Sequence, residues 1–171
     1  MRLFIAIEFN NEIIDSLKKL QSDLKSKGLQ GRYTKEENLH LTLAFIGEYG
    51  NPDKVLDAME EVSFESFPIE IKGIGNFGDI YWAGLEDNPY LINLVKKLRR
   101  SLSESNIPFD RKRFSPHVTL VRKGQFHRNR TGLPDSFPDM NMTVRSISLV
   151  KSEQGKHGMN YTVLGEVLSV D

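Results

Sequence analysis

The strongest constraint on the fold is a short phrase that occurs twice, once in each half of the chain. It reads His-apolar-Thr-Leu at residues 40–43, within ENLHLTLAFIGE, and again at residues 117–120, within FSPHVTLVRKG. In a β-strand, side chains two residues apart point to the same face of the sheet. The pattern therefore predicts two strands, each with an imidazole and a hydroxyl on one face and apolar side chains on the other.

The alternation also predicts which side chains enter the core. His40 and Thr42 share one face of the first strand, and His117 and Thr119 share one face of the second. The apolar residues expected on the opposite faces are Leu39, Leu41, Leu43 and Phe45 in the first strand, and Val118 and Leu120 in the second. If twin halves place these strands side by side, they form a groove with two imidazoles and two hydroxyls.

The composition limits the classes of protein to which the chain can belong. With 171 residues, 39% of them apolar, the chain suits one buried core, so we expect a single domain spanning residues 1–171. The absence of cysteine excludes disulfides, thiolate metal sites and cysteine nucleophiles. No apolar run approaches the ~20 residues that span a bilayer, and residues 2–9 suit a first strand better than a signal peptide. We expect a cytoplasmic protein.

Positive charge is concentrated around the second phrase, although the formal net charge of the chain is zero. Residues 96–130 contain eleven Lys and Arg and two acids, a net charge of +9, so the rest of the chain carries −9. A solvated helix face with basic loops would explain such a segment. Because His117 lies inside it, a phosphate-bearing substrate that approaches from the side of His117 is the more specific interpretation.

The hydrophobic periodicity predicts seven strands and three helices in mixed order. Asparagine caps precede all three helices, and proline follows the cap in the second and third. The polar stretch at residues 125–139 is long for a compact domain and is expected to be a functional or mobile loop. This order favours an α+β class with two loosely similar halves. The predicted strands are residues 2–9, 39–47, 67–74, 80–85, 115–123, 144–151 and 161–169, with a hairpin turn at residues 75–79.

Two histidines that flank a substrate suit general acid and base chemistry. An unperturbed pKa near ~6.5 allows one imidazole to be neutral and the other protonated near neutral pH. Threonine hydroxyls can hydrogen-bond phosphate oxygens, and arginines can offset developing negative charge. A strained cyclic phosphate needs no metal for in-line attack, and phosphate chemistry also explains the basic segment better than peptide or ester chemistry does.

Two other interpretations of the histidines compete with this one. A single His-x-Thr in a strand is most often an ordinary half-exposed pair, and it is the repetition with the following leucine that favours function. Zinc is the rival chemistry, but it usually takes a third protein ligand. His127 and His157 have no spacing that would complete a ligand set with the paired histidines. We therefore expect neither a metal nor another cofactor.

The paired phrases resemble the signatures of the two-histidine phosphoesterase superfamily. More narrowly, the chain resembles the bacterial and archaeal RNA 2′,3′-cyclic phosphodiesterases, also called 2′-5′ RNA ligase-like proteins. The similarity covers nearly the whole chain. It includes the segments RLFIAI, ENLHLTLAFIGE, YWAGL, SPHVTLVR and GMNYTVL.

This resemblance implies a fold, a reaction and a set of roles. The fold is a single bilobal α+β domain with pseudo-twofold symmetry, in which mixed or antiparallel sheets surround a central cleft and helices lie outside. The reaction is metal-independent hydrolysis of a 2′,3′-cyclic phosphate to a 2′-phosphate. By family analogy His40 is the acid and His117 the base, while Thr42 and Thr119 hold the phosphate oxygens. The sequence alone does not order the two histidines, because the phrases are chemically alike.

The resemblance also implies that Arg122 is a phosphate ligand, but strict alternation of side chains argues against this role. Five residues after His117, its side chain should point to the opposite face, so the role requires a bulge or the end of the strand. Tyr33, Phe77 and Trp82 are the aromatic residues considered for stacking on a base. Each is more typical of a core position, and Trp82, inside an apolar strand, most of all.

The expected partners are RNA ends or short oligonucleotides with a 2′,3′-cyclic phosphate, bound by a monomer that does not associate with membranes. Two alternatives stay open at this stage. One is the reverse reaction, which joins RNA ends through a 2′-5′ linkage and shares the same transition state. The other is a non-catalytic RNA-binding module that uses the same cleft and basic segment.

Overall fold

The protein folds into nine strands and three α-helices within the part of the chain that the structure describes. The structure is a computed structural model, and it describes residues 1–126, 133 and 138–171. His127 and most of the predicted loop at residues 125–139 lie outside the described residues. The elements are β1 (Arg2–Glu8), α1 (Asn11–Ser26), β2 (Leu29–Tyr33), β3 (His40–Glu48), α2 (Pro52–Glu60), β4 (Phe67–Phe77), β5 (Ile80–Leu85), α3 (Pro89–Glu104), β6 (His117–Phe126), β7 (Met140–Val144), β8 (Ser146–Gly155) and β9 (Gly158–Leu168).

The strands form two antiparallel sheets whose orders are β3-β1-β8-β9 and β2-β6-β5-β4-β7. Four strands correspond between the sheets, since β3, β1, β8 and β9 occupy the same positions as β6, β5, β4 and β7. In each half a strand is followed by a helix and then by the strand with the histidine phrase, as β5-α3-β6 in the second half and as β1-α1-β3 in the first, where the edge strand β2 of the other sheet intervenes before β3. The predicted α+β class with two related halves is confirmed.

Each of these two helices covers the sheet of the other half. The buried side of α1 packs with Val118, Leu120 and Val121 of β6. The buried side of α3 packs in a second cluster with Leu41 and Leu43 of β3. Neither half therefore contains its whole core, which supports the expectation of a single domain at residues 1–171. Among the described helices, none is long and apolar enough to cross a bilayer.

Asparagine caps start all three α-helices, as the sequence predicts. The side-chain oxygen of Asn10 accepts a hydrogen bond from the backbone N–H of residue 13 at 2.9 Å, Asn51 accepts one from residue 54 at 3.2 Å, and Asn88 accepts one from residue 91 at 3.1 Å. These bonds satisfy backbone donors that have no partner inside the helix. The two prolines that follow the second and third caps occupy the first helical turn, where the missing N–H costs nothing.

Both histidine strands are bulged one residue after the threonine. The pairing register skips Leu43 in β3 and Leu120 in β6. Ala44 and Val121, the next residues, are buried like their predecessors, so the alternation reverses phase at that point. Phe45, which strict alternation places in the core, is consequently 50% exposed. The prediction for Phe45 is wrong because the bulge turns it to the same side as the histidine.

Three further details of the second sheet differ from the sequence-based expectation. The sequence predicted neither of its two edge strands, β2 and β7. Both strands are short, and β2 (LQGRY) has too few apolar residues to predict a strand. The turn expected at residues 75–79 is confined to Gly78 and Asp79. Gly75 belongs instead to β4, where it pairs with Trp82 of β5.

Candidate active site

The two His-x-Thr strands meet where the two sheets pack together. β3 is the edge strand of the first sheet, and it packs against β6 of the second sheet. His40 and Thr42 lie on the open face of β3, while His117 and Thr119 lie on the open face of β6, and all four are partly exposed. The opposite faces are buried. The structure thus brings these four predicted residues to one cleft.

Both imidazoles are held by the same backbone contact. Nδ1 of His40 lies 2.6 Å from the carbonyl oxygen of Asn38, and Nδ1 of His117 lies 2.7 Å from that of Ser115. A carbonyl oxygen can only accept a hydrogen bond, so Nδ1 carries the proton in each neutral ring. Nε2 is then the nitrogen that each ring offers to the cleft, and it can accept or donate a proton there.

His40 is the more enclosed of the two histidines. Its ring stacks on Phe4, with centroids 4.8 Å apart, and meets the ring of Tyr161 edge-on at 5.4 Å. Its Nε2 lies 2.8 Å from the hydroxyl of Thr42, which can donate to it. Burial lowers the pKa of His40 below the ordinary 6.5, and the charges of Arg122 and His117 lower it further, against the opposing bond to the Asn38 carbonyl.

His117 lies beside an aromatic wall on the second sheet. Its ring is 5.5 Å from Phe77, edge-on, and 6.4 Å from Trp82. Phe77 is 48% exposed and packs on Trp82 at 5.0 Å, and Trp82 is only partly buried. The prediction that these two residues are core is wrong, because the register places Trp82 opposite Thr119 and hence on the cleft face.

Two glycines make room for this wall. A Cβ on Gly75 would lie 2.3 Å from the indole of Trp82, and one on Gly84 would lie 3.4 Å from it. The indole therefore lies flat over backbone that has no side chains. Tyr33, the third aromatic candidate, packs on the opposite face with the core under α1, and its hydroxyl donates to the carbonyl of Leu29 at 2.6 Å. Tyr33 therefore packs against the core, as its position in the sequence suggested.

Arg122 faces the cleft because β6 contains a bulge, which is the condition that the alternation argument set for this role. After the register skips Leu120, Arg122 is exposed on the same side of β6 as His117 and Thr119. Its positive charge lowers the pKa of His40 and opposes the rise that burial gives to the pKa of Tyr161. All five predicted site residues therefore surround one cleft. The equivalent position after the first bulge is Phe45, so the two halves differ there in charge.

The first-sheet side of the cleft is a cavity with an acidic rim. The cavity has a volume of about 410 Å³, and its apolar floor includes Phe4, Val150 and Tyr161 beside His40. Its rim contains three carboxylates, contributed by Glu8, Glu36 and Glu37. Glu36 is ion-paired with Lys18 at 2.9 Å, so Glu8 and Glu37 supply the negative charge of this rim, while Arg122 lies across the cleft on the second sheet.

Two antiparallel sheets that each give one His-x-Thr strand to a shared cleft define the two-histidine phosphoesterase class. A family model described as LigT like Phosphoesterase matches residues 7–82 and 84–161, and each segment contains one His-x-Thr phrase. The chain belongs to this LigT-like phosphoesterase family, and thus to a family of enzymes.

Relatives and solved structures agree with this assignment. An RNA 2′,3′-cyclic phosphodiesterase of Thermotoga maritima is 31% identical, over 97% of this chain and 94% of its own length. One of Methanocaldococcus jannaschii is 30% identical, over 97% and 99%. The fold matches that of Escherichia coli LigT complexed with 3′-AMP (TM-score 0.81, 24% identity, covering 99% of this chain and 98% of that one). A protein of Thermus thermophilus matches with a TM-score of 0.79 at 26% identity, covering 98% and 97%.

The sequence missed the aromatic surroundings of both histidines. Phe4 and Tyr161 enclose His40 from β1 and β9, and neither lies near His40 in the chain. The bulges left one readable signal, which is the doubled apolar pair after each threonine. Within the residues that the structure describes, no three His, Cys, Asp or Glu side chains cluster as metal ligands. The role of each site residue stays a prediction.

Proposed function

We propose that this enzyme hydrolyses 2′,3′-cyclic phosphates at the ends of RNA, or on nucleosides, to 2′-phosphates. The observation that carries the proposal is the pair of imidazoles anchored alike through Nδ1 on two facing strands. Membership of a phosphoesterase family whose curated relatives are named RNA 2′,3′-cyclic phosphodiesterase supports the same substrate class.

The proposed reaction is an in-line displacement at phosphorus. Nε2 of His117 accepts a proton as the water oxygen bonds to phosphorus, the bond from phosphorus to the 3′ oxygen breaks, and Nε2 of His40 donates a proton to that oxygen. The hydroxyls of Thr42 and Thr119 donate hydrogen bonds to the phosphate oxygens, and Arg122 offsets the charge that develops on them. The protein holds the groups that accept and release protons on opposite sides of the phosphate, so no cofactor is needed.

His40 must be protonated to act as the acid, but in the free protein its surroundings disfavour the protonated form. Burial, together with the charge of Arg122, lowers the pKa of His40 and keeps the imidazole neutral at neutral pH. An anionic phosphate bound between the two rings opposes the effect of this positive charge. Substrate binding thus raises the pKa of His40 toward the range in which it can act as an acid.

The aromatic wall formed by Phe77 and Trp82 suits a nucleobase. Stacking on an exposed aromatic ring contributes ~1–3 kcal/mol per base and tolerates any base. Phe77→Ala should therefore raise KM for a cyclic nucleotide by about 5- to 150-fold. Tyr90, which is 65% exposed on α3, gives a matched control whose replacement by alanine should leave KM unaltered. Equal KM values for wild type and Phe77→Ala would remove Phe77 from base binding.

The decisive experiment is turnover of a 2′,3′-cyclic mononucleotide in the presence of a chelator, followed by analysis of the product. We expect metal-independent turnover and a 2′-phosphate product. Loss of activity on chelation would contradict the metal-independent scheme, and a 3′-phosphate would contradict the direction of bond breaking. With an RNA that also offers a free 5′ end, a 2′-5′ joined product would instead identify the reverse reaction.

A module that only binds RNA predicts a different result. It would show no turnover by the wild type, and equal affinity for RNA when His40 and His117 are both replaced.

The monomeric state and the cytoplasmic location are part of the proposal. Sedimentation equilibrium and fractionation of cells that express the chain test them directly.

A further inference from the structure

Two arginines face each other across neighbouring strands at the edge of the second sheet. Arg32 of β2 is the direct partner of Arg122 of β6 in the antiparallel register, and both side chains are exposed. Like charges directly opposite each other destabilise a strand pair. Across the described residues, neither guanidinium lies within 4.0 Å of a carboxylate oxygen. This arginine pair, Arg32 and Arg122, therefore costs stability and has no paired carboxylate among the residues that the structure describes.

Both members of the arginine pair point toward the cleft. Cross-strand partners project to the same face of a sheet, and Arg122 is on the cleft face. Tyr33, the neighbour of Arg32, projects to the opposite face, where it packs in the core under α1. Arg32 thus lies beside Arg122, one strand farther from β5 and from the aromatic wall.

The backbone around the arginine pair is irregular in both strands. A Cβ on Gly31 would lie 2.8 Å from the carbonyl oxygen of Arg122 and 2.9 Å from that of Lys123, so only glycine allows β2 to approach so closely. Lys123 itself adopts a left-handed conformation with φ 54°, which is uncommon for a residue other than glycine. Backbone strain of this kind is often found at functional sites.

The charge around the cleft indicates what the second arginine binds. Arg122 lies on the cleft face of β6 with His117 and Thr119, where the proposed reaction puts the phosphate. Arg32 lies one strand farther out, on the edge strand β2. On the other side of the cleft, the carboxylates of Glu8 and Glu37 repel a polyanion, whereas Glu36 is paired with Lys18. A guanidinium is a forked donor that suits a phosphate group, and an RNA strand offers one phosphate per nucleotide.

On the basis of the proposed function, we propose that Arg32 binds the phosphate that precedes the reacting cyclic phosphate on the 5′ side of an RNA chain. The arginine pair then holds two consecutive phosphates, with Arg122 on the reacting one. The RNA leaves the cleft across β2 and away from the acidic rim. The enzyme consequently prefers an oligonucleotide to a mononucleotide with the same terminal base.

The test compares Arg32→Ala with the wild type on two substrates, a 2′,3′-cyclic mononucleotide and a short oligonucleotide with the same 2′,3′-cyclic end. The variant should lower kcat/KM about tenfold more for the oligonucleotide than for the mononucleotide. The salt dependence of oligonucleotide binding should lose a slope of about 0.7. Arg32→Lys, which keeps the charge, should restore part of the loss.

Arg100→Ala is the matched control, since Arg100 is an exposed arginine of α3 that is paired with Glu104. It should leave the ratio of the two kcat/KM values at the wild-type level. Equal losses on both substrates for Arg32→Ala would overturn the proposal, because Arg32 would then act at the reacting phosphate or on the fold. Unchanged values for both substrates would overturn it as well.

A binding measurement keeps this inference separate from the proposed reaction. If the wild type hydrolyses neither substrate, the proposed function fails, but the affinity for an oligonucleotide with a 2′-phosphate end still tests Arg32. We expect Arg32→Ala to bind it about tenfold more weakly at low salt and with a shallower salt dependence. Identical affinity and identical salt slope for both proteins would refute the role of Arg32.

Discussion

Replacing each of the two cleft histidines by alanine should abolish most activity in both variants, if the proposed mechanism holds, but weaken the fold more strongly in one of them. Loss of a positioned general acid or base typically lowers the rate by about 10²–10⁴-fold. Both His40 and His117 are expected to show a loss of that size. Strict alternation puts both rings on the open face and predicts an intact fold for each variant, but the structure makes their surroundings unequal.

The magnitude follows from the contacts of each ring. His40 forms two hydrogen bonds, to Asn38 and Thr42, and packs against Phe4 and Tyr161. At about 1 kcal/mol per hydrogen bond and about 0.5–1.5 kcal/mol per aromatic contact, His40→Ala should lower the free energy of unfolding by about 3–5 kcal/mol. His117 forms one hydrogen bond and one edge contact, with Phe77, so at the same rates its replacement should cost about 1.5–2.5 kcal/mol.

Urea unfolding followed by far-UV circular dichroism measures this difference. With a slope near ~2 kcal/mol/M, the midpoint should fall by about 1.5–2.5 M for His40→Ala and by about 1 M for His117→Ala. The slope itself should not change, because each variant should expose about as much surface on unfolding as the wild type does. Equal midpoints for the two variants, or a lower midpoint for His117→Ala, would refute the assignment of His40 as the enclosed histidine. Wild-type turnover in either variant would remove that histidine from the mechanism.

Two further predictions concern the charge and the packing around the cleft. The pKa of His40 is lowered by burial, then by the charge of Arg122, so the unfolded chain binds the proton more readily and the free energy of unfolding should fall as pH drops below about 6.5. An NMR titration of the imidazole should give a midpoint below 6.5 that rises in Arg122→Gln; a midpoint that does not rise would contradict the coupling. Gly75→Ala puts a Cβ 2.3 Å from the indole of Trp82, whereas a Cβ on Gly50 meets nothing within 4 Å. Only Gly75→Ala should change the tryptophan fluorescence and raise KM, and identical spectra for both variants would contradict the packing.

The sequence predicted the main features of the fold because they depend on local patterns. The helices were readable from their asparagine caps and 3.6-residue periodicity, and the His-x-Thr strands from the alternation that buries Leu41 and Val118. The edge strands β2 and β7 were not readable, because a short strand at the rim of a sheet can be largely polar. The aromatic wall was misassigned because an apolar strand does not show which of its faces is covered.

The sequence by itself determined the pair of imidazoles, the two threonines and the segregation of positive charge toward the second half. The shared face of each His-Thr pair follows from their spacing of two residues, which has the same effect in any β-strand. The segregation of charge follows from residue type alone. The tertiary structure alone decided that Arg122 and Phe45 turn into the cleft, since a bulge appears only when a strand is paired with its neighbours. It also decided that Arg32 faces Arg122 and that Phe4 and Tyr161 enclose His40, because long-range contacts arise from sheet register, which no local pattern encodes.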